Sequence, residues 1–140
     1  MERVYSVDEI NSIAKACISA VEGNRIFIFS GNLGAGKTSL IKEMCKEWQI
    51  KDVVQSPTYG LVNTYETKDG QTIHHLDLYR TKNPQEVYES GITEILDSNA
   101  ICLVEWPENI VPFLFENYVH IELFHEAPNF RKILLTLVKV

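Results

Sequence analysis

Gly31, Gly36, Lys37 and Thr38 hold the spacing G-x-x-x-x-G-K-[ST] within the run Gly31-Asn32-Leu33-Gly34-Ala35-Gly36-Lys37-Thr38. Binding a polyphosphate requires those residue types at those intervals. The glycines let successive backbone N–H groups turn inward around phosphate oxygens. Lys37 can neutralise the outer phosphates, and the Thr38 hydroxyl can take one position on Mg²⁺. The plain alternative is an ordinary glycine turn; at average composition the four fixed residues arise by chance in about half a per cent of chains this long. Context decides between them. Arg25-Ile26-Phe27-Ile28-Phe29-Ser30 reads as a buried strand, and Lys37 to Trp48 reads as a helix, so the loop sits between strand and helix N-terminus, where the helix adds partial positive charge.

A phosphate-binding loop needs a carboxylate near the metal, usually at the end of a neighbouring buried strand. Glu105 ends the apolar run Ala100-Ile101-Cys102-Leu103-Val104 in that way, and a metal role, direct or through water, is favoured over a merely exposed terminal acid. In His75-Leu76-Asp77-Leu78-Tyr79-Arg80, strand alternation puts His75, Asp77 and Tyr79 on one face and the leucines on the other. Spacing alone favours a half-exposed strand; the functional reading has Asp77 orienting a water or supporting the metal shell, with His75 fixing its position. His74 and His75 point to opposite faces and make a poor metal clamp. Ser56-Pro57-Thr58 reads equally as a nucleotide-sensing switch or as a proline-stiffened connector. Trp106 packs either over the nucleotide site or in simple core, and Arg131 either reaches the nucleotide or is solvated.

The elements that position these groups can be read in order. Ser6-Val7-Asp8-Glu9 is a capping box, followed by Ile10, Ile13, Ala14, Cys17 and Val21 at helical spacing, with Gly23 as a stop. Val53 to Tyr59 reads as a short extended piece broken by Pro57. Leu61 to Thr67 and Thr72 to Tyr79 read as strands joined through Lys68-Asp69-Gly70. Asn83-Pro84 opens a helix that Gly91 interrupts and that resumes to about Leu96. A short helix near Glu108 to Phe115 precedes two final strands, around Val119 to Leu123 and Ile133 to Val138. The expected fold class is α/β: a P-loop NTPase-like three-layer domain with a mixed, partly antiparallel central sheet, residues 1–140 forming one domain.

Composition sets the boundaries. The 140 residues are 45% hydrophobic and 23% charged, ordinary for a soluble globular protein, and no apolar run approaches a membrane span. Cys17, Cys45 and Cys102 are odd in number and lack metal-ligand spacing; they read as reduced thiols of a cytoplasmic protein. The net charge of −6 argues against a broad nucleic-acid-binding face.

GNLGAGKTSL, SPTYGLVNTY, HHLDLYR, SGITEIL and LVEWPENI, in that order, closely resemble the TsaE family, also called YjeE. The resemblance runs from about Ser6 to Arg131. It implies a P-loop ATPase that binds ATP and Mg²⁺ and hydrolyses slowly alone. It implies a role in making threonylcarbamoyladenosine beside the tRNA anticodon, with TsaD and TsaB as partners, tRNA met only through them, and no membrane. Carried onto this chain, it implies phosphate contacts from Gly34, Ala35, Gly36, Lys37, Thr38 and Ser39, and Mg²⁺ contacts from Thr38 and Glu105. Lys37, Asp77 and Glu105 are the implied catalytic residues, with Trp106 also implied in activity; Glu9 and Arg131 match positions that approach the nucleotide. The chain departs from the family pattern at Asn32, where an acid is usual, at Ser39, where Thr is usual, and at Tyr59, where Phe is also common.

Two other classes compete. A small-molecule kinase usually brings several arginines onto the transferring phosphates from a lid, but this chain has four arginines, Arg3, Arg25, Arg80 and Arg131, and no basic lid segment. An ATP-dependent binding module with negligible turnover is disfavoured by the intact Lys37, Thr38, Asp77 and Glu105. No N-K-x-D segment occurs to read guanine.

Overall fold

A computed structural model of the chain describes residues 1–20, 23–51 and 61–140. Strand β1 (Glu2–Ser6) leads through a short 3₁₀ turn (Val7–Glu9) into helix α1 (Ile10–Ala20). Strand β2 (Ile26–Ser30), helix α2 (Lys37–Glu47), strands β3 (Val62–Glu66) and β4 (Thr72–Asp77), helices α3 (Pro84–Glu89) and α4 (Ile92–Leu96) and strand β5 (Ile101–Glu105) follow. Two 3₁₀ turns (Pro107–Asn109 and Val111–Phe113) stand where one short helix was expected, and β6 (Tyr118–Ala127) and β7 (Phe130–Val138) close the fold. Pro112 lacks the N–H that a continuous α-helix from Glu108 would bond to Glu108 O, which suits two short turns better.

All seven strands form one sheet in the order β1-β7-β6-β2-β5-β4-β3. The centre is parallel: β2 lies between β6 and β5, and β4 flanks β5. The margins are antiparallel, with β3 against β4 on one side and β6, β7 and β1 in succession on the other. The mixed α/β architecture is therefore the expected one.

Alternation along the central strands divides the apolar side chains between two layers. Phe27, Phe29, Ile101, Leu103 and Ile73 pack against Ile13, Ala14 and Cys17 of α1 and Leu40, Ile41 and Met44 of α2. Ile26, Ile28, Cys102, Val104, Leu76 and Leu78 pack against Val87 of α3 and Ile92 and Leu96 of α4 on the opposite face. Each fully buried large side chain of this kind contributes about 1.5–3 kcal/mol. The sheet is thus held on both sides, and its central strands have little freedom to shift.

Local chemistry sets the element ends. The Ser6 N–H donates to Glu9 Oε1 at 2.8 Å and the Asp8 N–H donates to Ser6 Oγ at 3.3 Å, forming the expected capping box ahead of α1. Asn83 Oδ1 accepts the Glu86 N–H at 2.9 Å, with Pro84 in the first turn of α3. Gly91 separates α3 from α4, as read from the sequence. Strand β4 ends at Asp77 rather than Tyr79: beyond it the Leu78 N–H donates to Glu105 O, and Asp77 Oδ1 accepts the Tyr79 N–H, turning the chain. Val21 and the segment Val53 to Tyr59, with its Ser56-Pro57-Thr58 motif, lie outside the described residues.

Candidate functional site at the phosphate loop

The loop between β2 and α2 begins where the sheet ends. Gly31 passes close to β6: a Cβ there would lie 2.6 Å from the Leu123 carbonyl oxygen, so only glycine fits. Gly36 precedes α2 with φ 99°, a left-handed conformation that glycine adopts without strain. The first backbone bond of the helix runs from the Leu40 N–H to Gly36 O. The amides of Lys37, Thr38 and Ser39 come before it, at the positive end of an 11-residue helix. Those donors face a cleft of about 480 Å³ lined by Gly34, Gly36, Lys37, Thr38, Ser39, Asp77, Glu105, Trp106 and Arg131, together with Tyr5, Val7, Ile10 and Leu33.

Register brings the carboxylates to the loop. Phe29 on β2 pairs with Glu105 on β5, and Glu105 pairs in turn with Asp77 on β4. The three positions stand abreast at the C-terminal edge of the parallel strands, where ligands of open α/β sheets bind. Glu105 is buried and held at both oxygens. Thr38 Oγ1 donates to Oε1 at 3.0 Å, and His75 Nε2 lies 2.6 Å from Oε2. His75 is fully buried. The expected half-exposed polar face on β4 is therefore corrected at His75. This face of the sheet lies under α1 and α2, and the imidazole serves Glu105 rather than Asp77.

Lys37 is 5% exposed; its Nζ donates to Gly31 O and stands 3.6 Å from the centre of the Trp106 ring. Burial pulls its pKa below the usual lysine value, with the charges of Glu105, Asp77 and Glu108 opposing the shift. Trp106 has a left-handed backbone (φ 55°, ψ 63°), strained for a non-glycine residue. That turn lays the indole over Lys37 and against Tyr79, ring centres 4.9 Å apart. Trp106 thus lines the cleft rather than the core.

Arg131 lies across the cleft on β7, paired in register with Tyr5 of β1, and its Nη1 donates to Phe130 O at 3.0 Å. Glu9 stands apart from the lining residues, its Oε1 engaged by the Ser6 N–H, although Val7 and Ile10 on either side of it line the cleft. Ala35 is buried in the loop, its N–H donating to Asn32 O at 3.0 Å. Sequence reasoning missed the apolar wall of Tyr5, Val7 and Ile10; only folding β1 against β7 carries it to the loop.

The donor set suits a phosphate–metal group. Thr38 gives its hydroxyl proton to Glu105 and so keeps its lone pairs for a cation. Among the described residues, no cluster of three or more His, Cys, Asp or Glu side chains could hold a metal unaided. Thr38 and Glu105 could therefore hold a divalent cation only together with phosphate oxygens and water, as Mg²⁺ prefers.

Comparison with known proteins places the chain in a family. The family model described as Threonylcarbamoyl adenosine biosynthesis protein TsaE matches residues 4–133. The chain belongs to the TsaE family. The tRNA threonylcarbamoyladenosine biosynthesis protein TsaE of Rickettsia felis is 38% identical over 117 residues, covering 83% of this chain and 67% of the relative. The protein of the same name from Rickettsia bellii is 38% identical over 119 residues, covering 84% of this chain and 81% of the relative. The crystal structure of Bacillus subtilis YdiB superposes with a TM-score of 0.73 over 99% of this chain and 85% of that one, at 24% identity, and shows a shared fold. This TsaE-family chain thus has a P-loop NTPase-like fold. None of its helices, among the described residues, is long and apolar enough to cross a membrane.

Proposed function

We propose that this TsaE-family chain binds ATP with Mg²⁺ and hydrolyses it slowly as an accessory protein of tRNA threonylcarbamoyladenosine biosynthesis in the cytoplasm, regulating or resetting a TsaD–TsaB complex. One observation carries the reading: Thr38 and Glu105 are bonded at 3.0 Å beside the open amides of α2, in the cleft that Lys37 and Asp77 also line. Mg²⁺, when bound, screens the charge of the phosphate oxygens.

The residues divide the work. Gly34, Gly36 and the amides of Lys37, Thr38 and Ser39 cradle the phosphates, with Ala35 closing the loop through its bond to Asn32 O; Lys37 supplies the mobile positive charge, and Thr38 and Glu105 would hold the metal. Asp77, with Oδ1 on the Tyr79 N–H, keeps its second oxygen to orient the attacking water. Tyr5, Val7 and Ile10 give the cleft an apolar wall against which a base can lie, with Arg131 beside Tyr5 on the neighbouring strand.

The expected slowness has a physical basis. Of the four arginines, Arg131 alone lines the cleft among the described residues, and its guanidinium is engaged with backbone carbonyls. An arginine aimed at the transferring phosphoryl group is worth about 10³–10⁵ in rate. A site short of that charge turns over slowly alone, and the same shortage weighs against a kinase. With a net charge of −6, tRNA is met through the partners.

ATP hydrolysis by the purified chain, alone and with TsaD–TsaB added, tests the proposal, with Glu105→Ala as the control. Strong stimulation that the variant lacks supports a coupled ATPase cycle. Tight ATP binding without stimulation favours a binding module whose turnover is incidental.

A further inference from the structure

Glu105 is held from two sides, and the second holder belongs to no phosphate-loop residue. His75 sits on β4 two positions before Asp77, fully buried, with Nε2 2.6 Å from Glu105 Oε2. Glu105 and Asp77 are register partners on adjacent strands, so two carboxylates stand side by side at the sheet edge. Like charges so placed repel, and a carboxylate on a single Thr38 contact can rotate away from the cleft. The imidazole blocks that rotation from below.

We propose that His75 is a positioning residue for the metal site, its Nε2–H pinning Oε2 of Glu105 and keeping Oε1 aimed at Thr38. The inference rests on the nucleotide–Mg²⁺ reading above. Two observations fix the tautomer. A bare Nε2 at 2.6 Å would set its lone pair against the carboxylate's, so Nε2 carries the proton. Nδ1 is buried with no hydrogen-bond partner among the described residues. There a lone pair is tolerated better than an orphaned N–H. His75 thus does for Glu105 what a supporting hydrogen bond does for many metal ligands: it fixes the orientation before the metal arrives.

The test is titration of the full chain with ADP, in excess MgCl₂ and in EDTA, for wild type, His75→Leu and His75→Gln. In His75→Leu the gain in ADP affinity on adding Mg²⁺ shrinks about tenfold, whereas the affinity in EDTA holds. In His75→Gln, whose amide N–H can reach Oε2, most of that gain returns. ¹⁵N NMR of wild-type imidazoles finds a proton on His75 Nε2, and this measurement decides the matter if His75→Leu fails to fold. A full Mg²⁺ gain in a folded His75→Leu, or an Nδ1–H tautomer in wild type, overturns the inference and leaves the nucleotide reading intact. Wild-type protein that binds ADP in neither condition overturns both.

Discussion

Lys37 and Trp106 form the most exacting contact in the cleft: an almost buried ammonium against an indole whose own backbone is strained. Each side tolerates a cost, burial of charge on one and a left-handed turn on the other, of the kind that gathers at functional sites. Replacing Lys37 by Ala removes a charged donor to the phosphates, and ATP affinity should fall about 10–100-fold, measured by calorimetry. The indole should also report on binding. Trp48, the other tryptophan, lies edge-on to Phe27 at 5.7 Å, half-buried against the core. In a Trp48→Phe background, ATP should therefore change Trp106 emission as Lys37 shifts toward phosphate; an unchanged spectrum at saturating ATP would contradict that movement. At this scale the sequence was informative wherever chemistry needs consecutive residues, as from Gly31 to Thr38. It was poor for His75, because alternation assigns a side chain to a face without saying which helix covers that face.

Among the elements, the hairpin β6–β7 does more than fill the sheet. β6 lies directly beside β2, and its Leu123 carbonyl sets how closely the loop passes at Gly31. Gly31→Ala should push the loop off β6, costing about 1–3 kcal/mol in urea unfolding and weakening ATP binding with it; wild-type values for both would mean the loop is positioned from α2 alone. The strands with long apolar or alternating runs, β2, β5, β6 and β7, were legible before folding. β1 was not. Only Tyr5 among its five residues is buried, so this edge strand carries no alternation to read, and Val4 is exposed despite its type. With β1 went Tyr5 and the wall it builds with Val7 and Ile10. The phosphate-loop end of the cleft was thus foreseeable from motif spacing, and the apolar end was not, because long-range pairing alone creates it.

For the molecule as a whole, the two cores set the behaviour at alkaline pH. Burial pushes Cys17 and Cys45 up to about 12, Cys102 up to about 11 and Tyr5 up to about 12. Each is raised above its unfolded value, so between about pH 9 and 12 the unfolded chain releases protons that the folded chain retains. Stability should be level below pH 9 and fall as pH rises beyond it, followed by urea midpoints from pH 7 to 11. At pH 8 the three thiols should react with a disulfide reagent only as fast as the protein opens; rapid labelling of the native chain would contradict the burial. The outermost pairing in the sheet has a different consequence. Glu2 meets Leu134, so β1, translated before the other described strands, has no partner until β7 has been made. Pairings so distant along a chain close slowly. Tyr5 must therefore wait, unpaired and apolar, while the ribosome finishes β7. The cleft acquires its last wall only once β7 is made, and a nascent chain stalled before residue 130 would display the phosphate loop with one side of its pocket missing.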